Sequence, residues 1–384
     1  MQSAQNISFH DSGEGDTTAV DPLFVELRAT IADSLRPNVQ RIHVNAEYPE
    51  AFVRQIGALG AFKQGTPTKF GGTGNGLKWT IQVMEEVAQE CLNTGFLVWC
   101  QTVCAWYIQN GGSQYLKEQV LPKVITGEIL AGTGLSNPMK HFAGIEQIRM
   151  TAQRCVDGYI LNGTLPMVSN MGRDHYFGLV AKHEDEDAYL MAVLPGNLSG
   201  LSIVDVRGFV ALDGSSTCSC KFKDVFVPTQ YILASPCSEF VARIRSGFIL
   251  TQTGFGLGLV RSCIELMKRT NRTKGHINCF LDDKVEDIEN DLRIAQRCTY
   301  ALAEEIGCGE CDTRSDMLRE VVQARLSASE LALRASQATI LHAGASAYRL
   351  HSVYDRKLRE AYFVALVTPA LKHLKKILHD LECM

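Results

Sequence analysis

The spacing of apolar side chains changes period twice along the 384 residues, and few architectures accommodate such a pattern. Up to about residue 129 the spacing is helical. Between Trp79 and Cys91, for example, Ile81, Met84, Val87 and Ala88 recur at intervals of three and four. Near Gly158 the period becomes two: Ile148, Met150 and Ala152 alternate with polar residues, and Asp157-Gly158 is a tight-turn signal ahead of Tyr159 and Leu161. A hairpin is expected there, with further strands at 176–181, 188–194 and 216–225. After Pro236 helical spacing returns, with Leu259, Cys263, Leu266 and Met267 on one face and Leu326, Leu333 and Ile340 seven residues apart. The expected class is α+β: a flexible tail over 1–20, an N-terminal helical domain over 21–130, a middle β-domain over 131–232 and a helical bundle over 233–384.

Composition narrows the function classes. With 38 Lys and Arg against 42 Asp and Glu, the formal charge of −4 gives no long-range pull on nucleic acid or anionic lipid. The first twenty residues hold no Lys or Arg and no apolar stretch, unlike a signal peptide. The longest apolar candidate, 248–260, is broken by Thr251, Gln252 and Thr253 and falls short of the roughly 20 residues a membrane span needs. Thirteen cysteines without an export signal suit a reducing compartment, so the cytoplasm is the expected location. Cys308 and Cys311 form a lone Cys-x-x-Cys, Cys218 and Cys220 sit two apart, and Cys100 and Cys104 share a helix face. A structural zinc site takes four ligands in paired spacings, so a turn carrying two thiols is the preferred reading of the first pair.

Several motifs in fixed order resemble the acyl-CoA dehydrogenase family. They are Lys69-Phe70-Gly71-Gly72 ahead of the helix with Glu85 and Glu86, the stretch YLKEQVLPKVITGE at 115–128, Leu135-Ser136-Asn137-Pro138, Leu161-Asn162-Gly163, and Val168-Ser169-Asn170. Residues 214–228 and 344–360 continue the likeness, the latter with a small-residue turn and Arg359-Glu360 in place of the family's Arg-Asp. The resemblance implies a C-terminal four-helix bundle, a soluble FAD-dependent oxidoreductase acting on an acyl thioester of coenzyme A or a carrier protein, and a homotetramer or homodimer.

Carried over residue by residue, the resemblance assigns the cofactor to Leu135, Ser136, Met167, Ser169, Lys274 and Gly344. Ser169 keeps the hydroxyl that tunes the flavin, whose own chemistry is redox; a turn serine is its plainer reading. Met167 replaces the family's stacked aromatic ring and reads equally as a core residue of the β-domain. Lys140 and His141 stand where the family has Gly-Ser-Asp, with Lys140 either a phosphate contact or a solvated loop lysine. Lys274 replaces an Arg that reaches a neighbouring subunit's cofactor, or is a surface lysine. Gly344 opens a small-residue turn that permits close backbone approach.

The base is the main departure. By the family's count from Arg359 its position is Thr368, followed by Pro369; the alternative family position is Phe248. Neither residue takes a proton, so removal of an α-proton requires a substitute group or an unusually acidic substrate. Glu360, Tyr362, His342 and His351 are the ionisable residues nearby in sequence, and the sequence does not choose among them. The missing carboxylate keeps two further readings open: a flavin-dependent monooxygenase of the same fold, supplied with reduced flavin by a partner, and a flavin-binding scaffold without turnover.

Overall fold

The computed structural model describes residues 21–308 and 315–383. The expected tail at 1–20 and Cys311 lie outside the described residues. The described residues begin with helices α1 (Pro22–Thr30), α2 (Val39–Val44), α3 (Glu50–Ala58), α4 (Leu77–Glu90), α5 (Leu92–Asn110) and α6 (Leu121–Ile125). Asp21 starts α1 by accepting the Leu23 N–H at 2.8 Å, and Pro22 at the first turn needs no N–H partner. Helix α5 is buried along almost its whole length. It forms the axis of the N-terminal part.

The middle segment contains β1 (Ala131–Thr133), α7 (Ser136–His141), β2 (Met150–Cys155), β3 (Gly158–Val168), β4 (Tyr176–His183), β5 (Tyr189–Pro195), β6 (Leu201–Asp205), β7 (Cys218–Pro228) and β8 (Ile232–Ala234). The strands form one eight-stranded sheet in the order β6-β7-β3-β2-β4-β5-β8, with β1 added in parallel to β4. The expected hairpin is β2–β3, pairing Cys155 with Gly158, and Asp157 takes φ 62° in its turn. Strand β5 shows why this region reads as sheet. Its Met191 and Val193 face the large helical core, while Leu190, Ala192 and Leu194 face a separate core within the β-domain. A strand buried on both faces needs apolar residues at every position.

The C-terminal part holds α8 (Ser238–Thr251), α9 (Thr253–Asn278), α10 (Val285–Ile306), α11 (Ser315–Ala343), α12 (Val353–Leu366) and α13 (Leu371–Glu382). Leu259, Cys263, Leu266 and Met267 are all buried, as their spacing predicts. Helix α9 lies close against α4: a Cβ at Gly258 would stand 2.4 Å from the Glu85 carbonyl oxygen, so only glycine permits this separation. No helix among the described residues is long and apolar enough to cross a membrane.

Candidate active site

The end of β1 leads into the first of the candidate residues. Gly134 donates its N–H to the Gly178 carbonyl at 2.8 Å, Leu135 turns its side chain into the core, and Ser136 opens α7. The Ser136 and Thr368 hydroxyl oxygens are 2.9 Å apart across 232 residues of sequence. Thr368 occupies the turn between α12 and α13, where the buried Gln252 carboxamide donates to its carbonyl at 2.9 Å. Two positions assigned separately from sequence are thus neighbours.

Ser169 follows β3 and forms an isolated antiparallel bridge with Thr133. Its hydroxyl oxygen is 2.8 Å from that of Thr217, which lies 2.8 Å from the Ser215 hydroxyl. Thr133 also meets the Tyr107 phenol at 2.9 Å. The next residue, Asn170, is fully buried with φ 55° and fastens the loop: its amide donates to the Ala131 carbonyl at 2.8 Å and its oxygen accepts from the Tyr48 phenol at 2.5 Å. Burial holds the Tyr48 phenol well above its ordinary range. Met167 is 54% exposed beside this row and so is not a core residue of the β-domain.

The alternative base position, Phe248, is 1% exposed, with ring centroids 5.1 Å from Trp99 and 6.4 Å from Tyr107. An aromatic wall backs the hydroxyl row. Glu360 is 3% exposed and pairs with Lys357 at 3.1 Å and Arg356 at 3.8 Å; no hydrogen bond or ion pair among the described residues joins it to Ser136, Thr368 or Ser169. His342 is buried on Asn271 and the Asp283 carbonyl. Tyr362 is half-exposed on α12. His351, on an exposed turn, forms a cluster with His43 and Asp355 whose donor atoms lie within 4.8 Å of one another. The Arg359 guanidinium already serves that cluster, 2.6 Å from His43 Nε2 and 2.8 Å from an Asp355 oxygen. A cation is therefore built in.

His373, on the first turn of α13, was not legible from the motifs. Its Nδ1 accepts the Ala370 N–H at 3.3 Å, and burial lowers its pKa. That bond uses the neutral ring's one lone pair, so His373 presents a donor and no base at its other nitrogen. Lys140 pairs with Glu146 at 2.7 Å. Segment 139–142, expected as a loop, is largely the end of α7.

Lys274 and Gly344 also come together. The Lys274 ammonium donates to the Ala343 carbonyl at 2.7 Å and stands 4.0 Å from where a Gly344 Cβ would be, with Gly344 at φ 64°. This pair lies 22 residues along from Gln252 (274 − 252), roughly 33 Å of helix. The molecule thus has two separated clusters, one hydroxyl-lined and one cationic.

A helical domain, a strand domain with a hydroxyl-lined rim and a second helical domain define the acyl-CoA dehydrogenase fold class. Residues 23–128 match the family profile "Acyl-CoA dehydrogenase, N-terminal domain". The mitochondrial isovaleryl-CoA dehydrogenase of Bos taurus is 25% identical over 331 residues, 80% of this chain and 76% of that protein. A glutaryl-coenzyme A dehydrogenase solved with glutaryl-CoA superimposes with a TM-score of 0.83 at 20% identity, covering 95% of each chain. Dibenzothiophene monooxygenase from Paenibacillus sp. A11-2 gives 0.78 at 16% identity, covering 92% of this chain and 95% of that one. The N-terminal profile match, these relatives and the shared fold together support an acyl-CoA dehydrogenase-like oxidoreductase.

Proposed function

We propose that the protein is an FAD-dependent oxidoreductase that oxidises an acyl thioester, carried on coenzyme A or a carrier protein, without a carboxylate base. The contact between Ser136 and Thr368 carries this reading, because it joins the cofactor loop to the family's base position in one uncharged site. The residues fit a flavin. Ser136, Ser169, Thr133 and Thr217 offer hydroxyls that donate or accept, matching a ring edged by alternating carbonyls and N–H groups, and exposed Met167 supplies apolar cover.

When bound, FAD accepts the substrate's electrons. The chain's own residues do the rest. Asn170 and Tyr48 fix the loop, Ser169 is oriented through Thr217 and Ser215, and Trp99 with Phe248 excludes water from behind the site. The Thr368 hydroxyl orients a ligand and accepts no proton at neutral pH. Such a site suits a substrate whose α-proton is already acidic. Lys274, far along α9, and Gly344, in the turn after α11, sit too far from the hydroxyl row to serve the same cofactor, which supports a role toward a neighbouring subunit's cofactor in a homodimer or homotetramer.

A second reading, a monooxygenase using reduced flavin and oxygen, is favoured by the same lack of a carboxylate. Anaerobic mixing of holoprotein with acyl thioesters separates the two. Bleaching of the flavin absorbance is the expected result. No bleaching with any thioester, together with an oxygen-dependent spectral intermediate from reduced protein, would replace the dehydrogenase reading with the second.

A further inference from the structure

Arg325, on α11, is completely buried, and its hydrogen-bond partners among the described residues are all neutral. Its ε N–H donates to the Gln252 oxygen at 3.1 Å, one terminal nitrogen donates to the Val364 carbonyl at 2.7 Å, and the other meets the Ser329 hydroxyl. Its guanidinium also lies 5.6 Å from the centre of the Phe255 ring. Burial lowers its pKa to about 9, with no carboxylate raising it again. A buried cation without a counterion is costly and normally finds an acid. Here the line of contacts runs elsewhere. Gln252 accepts from Arg325 with its oxygen and donates with its nitrogen to the Thr368 carbonyl, whose own side chain meets Ser136.

We infer that Arg325 and Gln252 are positioning residues that hold the Thr368 turn and make the adjacent site favour ligands that develop negative charge. This rests on the thioester reading above. In that reaction the α-carbon loses a proton and the electron pair of the C–H bond spreads onto the thioester oxygen. A fixed positive charge in a dry interior acts on such an anion far more strongly than it would through water. The missing carboxylate and the unpaired guanidinium are then two aspects of one design. A carboxylate at Thr368 would neutralise Arg325 through the turn, whereas a hydroxyl leaves its field directed at the substrate. The deprotonated substrate is favoured by charge, and the proton passes to solvent.

A 3-ketoacyl thioester of coenzyme A tests this without turnover. Loss of its C2 proton to the buffer gives an enolate with its own ultraviolet absorbance. Bound to the parent holoprotein at neutral pH, the ligand should be enolised at least about tenfold more than when free, the equivalent of one pKa unit. Arg325→Met should abolish the gain and Arg325→Lys should retain most of it. Gln252→Glu keeps an acceptor for Arg325 and supplies its counterion but gives up the donor to the Thr368 carbonyl, so it should lose the gain while still folding cooperatively and binding the ligand. Equal enolate fractions in the parent, Arg325→Met and Gln252→Glu, with ligand bound in all three, would overturn the inference and leave the thioester reading standing. Failure of the parent to bind any thioester would overturn both.

Discussion

At His43 the Arg359 guanidinium takes the lone pair that a proton would otherwise use. Burial first, and Arg359 second, lower the ring's pKa to about 4 from its ordinary 6.5. The sign follows from linkage. An unfolded chain takes up this proton near pH 6.5 and the folded chain only near 4, so folding is undisturbed above 6.5 and loses stability as pH falls toward 4. The ring is only partly buried, so after solvent screening the effect is on the order of 1 kcal/mol. His175 and His373 are shifted in the same direction. In urea unfolding, His43→Gln should show a smaller loss of stability between pH 7 and pH 5 than the parent. An identical loss in both would show that the ring does not titrate as the geometry requires.

Elements differ in how much of them the sequence discloses. Strands β2, β4, β5 and β7 stood out because five or more residues alternate or run apolar under burial on one or both faces. Strands β1 and β8 have three residues each, too few for a period, and β6 is largely exposed. Helix α7 was hidden because Pro138 and the polar residues around it read as a loop. Ser136, Ser169 and Thr368 were named from motif order, while Thr133, Thr217, Gln252 and Arg325 were not. A hydroxyl or carboxamide gains its role from a partner tens or hundreds of residues away, which local spacing does not encode. Arg325 lies among buried valine, leucine, alanine and serine positions of α11, and nothing in that run marks its charge as interior. Helix α9 offers an element-scale test at Gly258, where a methyl group would press on the Glu85 carbonyl. Gly258→Ala should destabilise the fold by about 1–3 kcal/mol, read as a lower urea midpoint. No change would mean that α4 and α9 are not held at this separation.

For the whole molecule, the cluster at the far end of α9, where Lys274 meets the Gly344 turn, bears on assembly. Leu341 is 62% exposed, Tyr348 96% and Leu350 75%, so the chain around Gly344 presents apolar surface beside a lysine. Apolar surface of this kind marks a contact face. The protein should therefore run as a dimer or tetramer in light scattering at micromolar concentration. A monomer with full flavin occupancy would contradict the role proposed for Lys274 and Gly344.

FAD titration of flavin-free protein decides whether the hydroxyl row at Ser136, Ser169 and Thr368 holds a flavin. The titration should reach about one FAD per chain, with Ser169→Ala binding more weakly by on the order of 1 kcal/mol, roughly fivefold, and with a shifted redox potential. The variant's melting temperature should stay close to the parent's. A parent that binds no added FAD, or a Ser169→Ala variant unchanged in both affinity and potential, would rule this out.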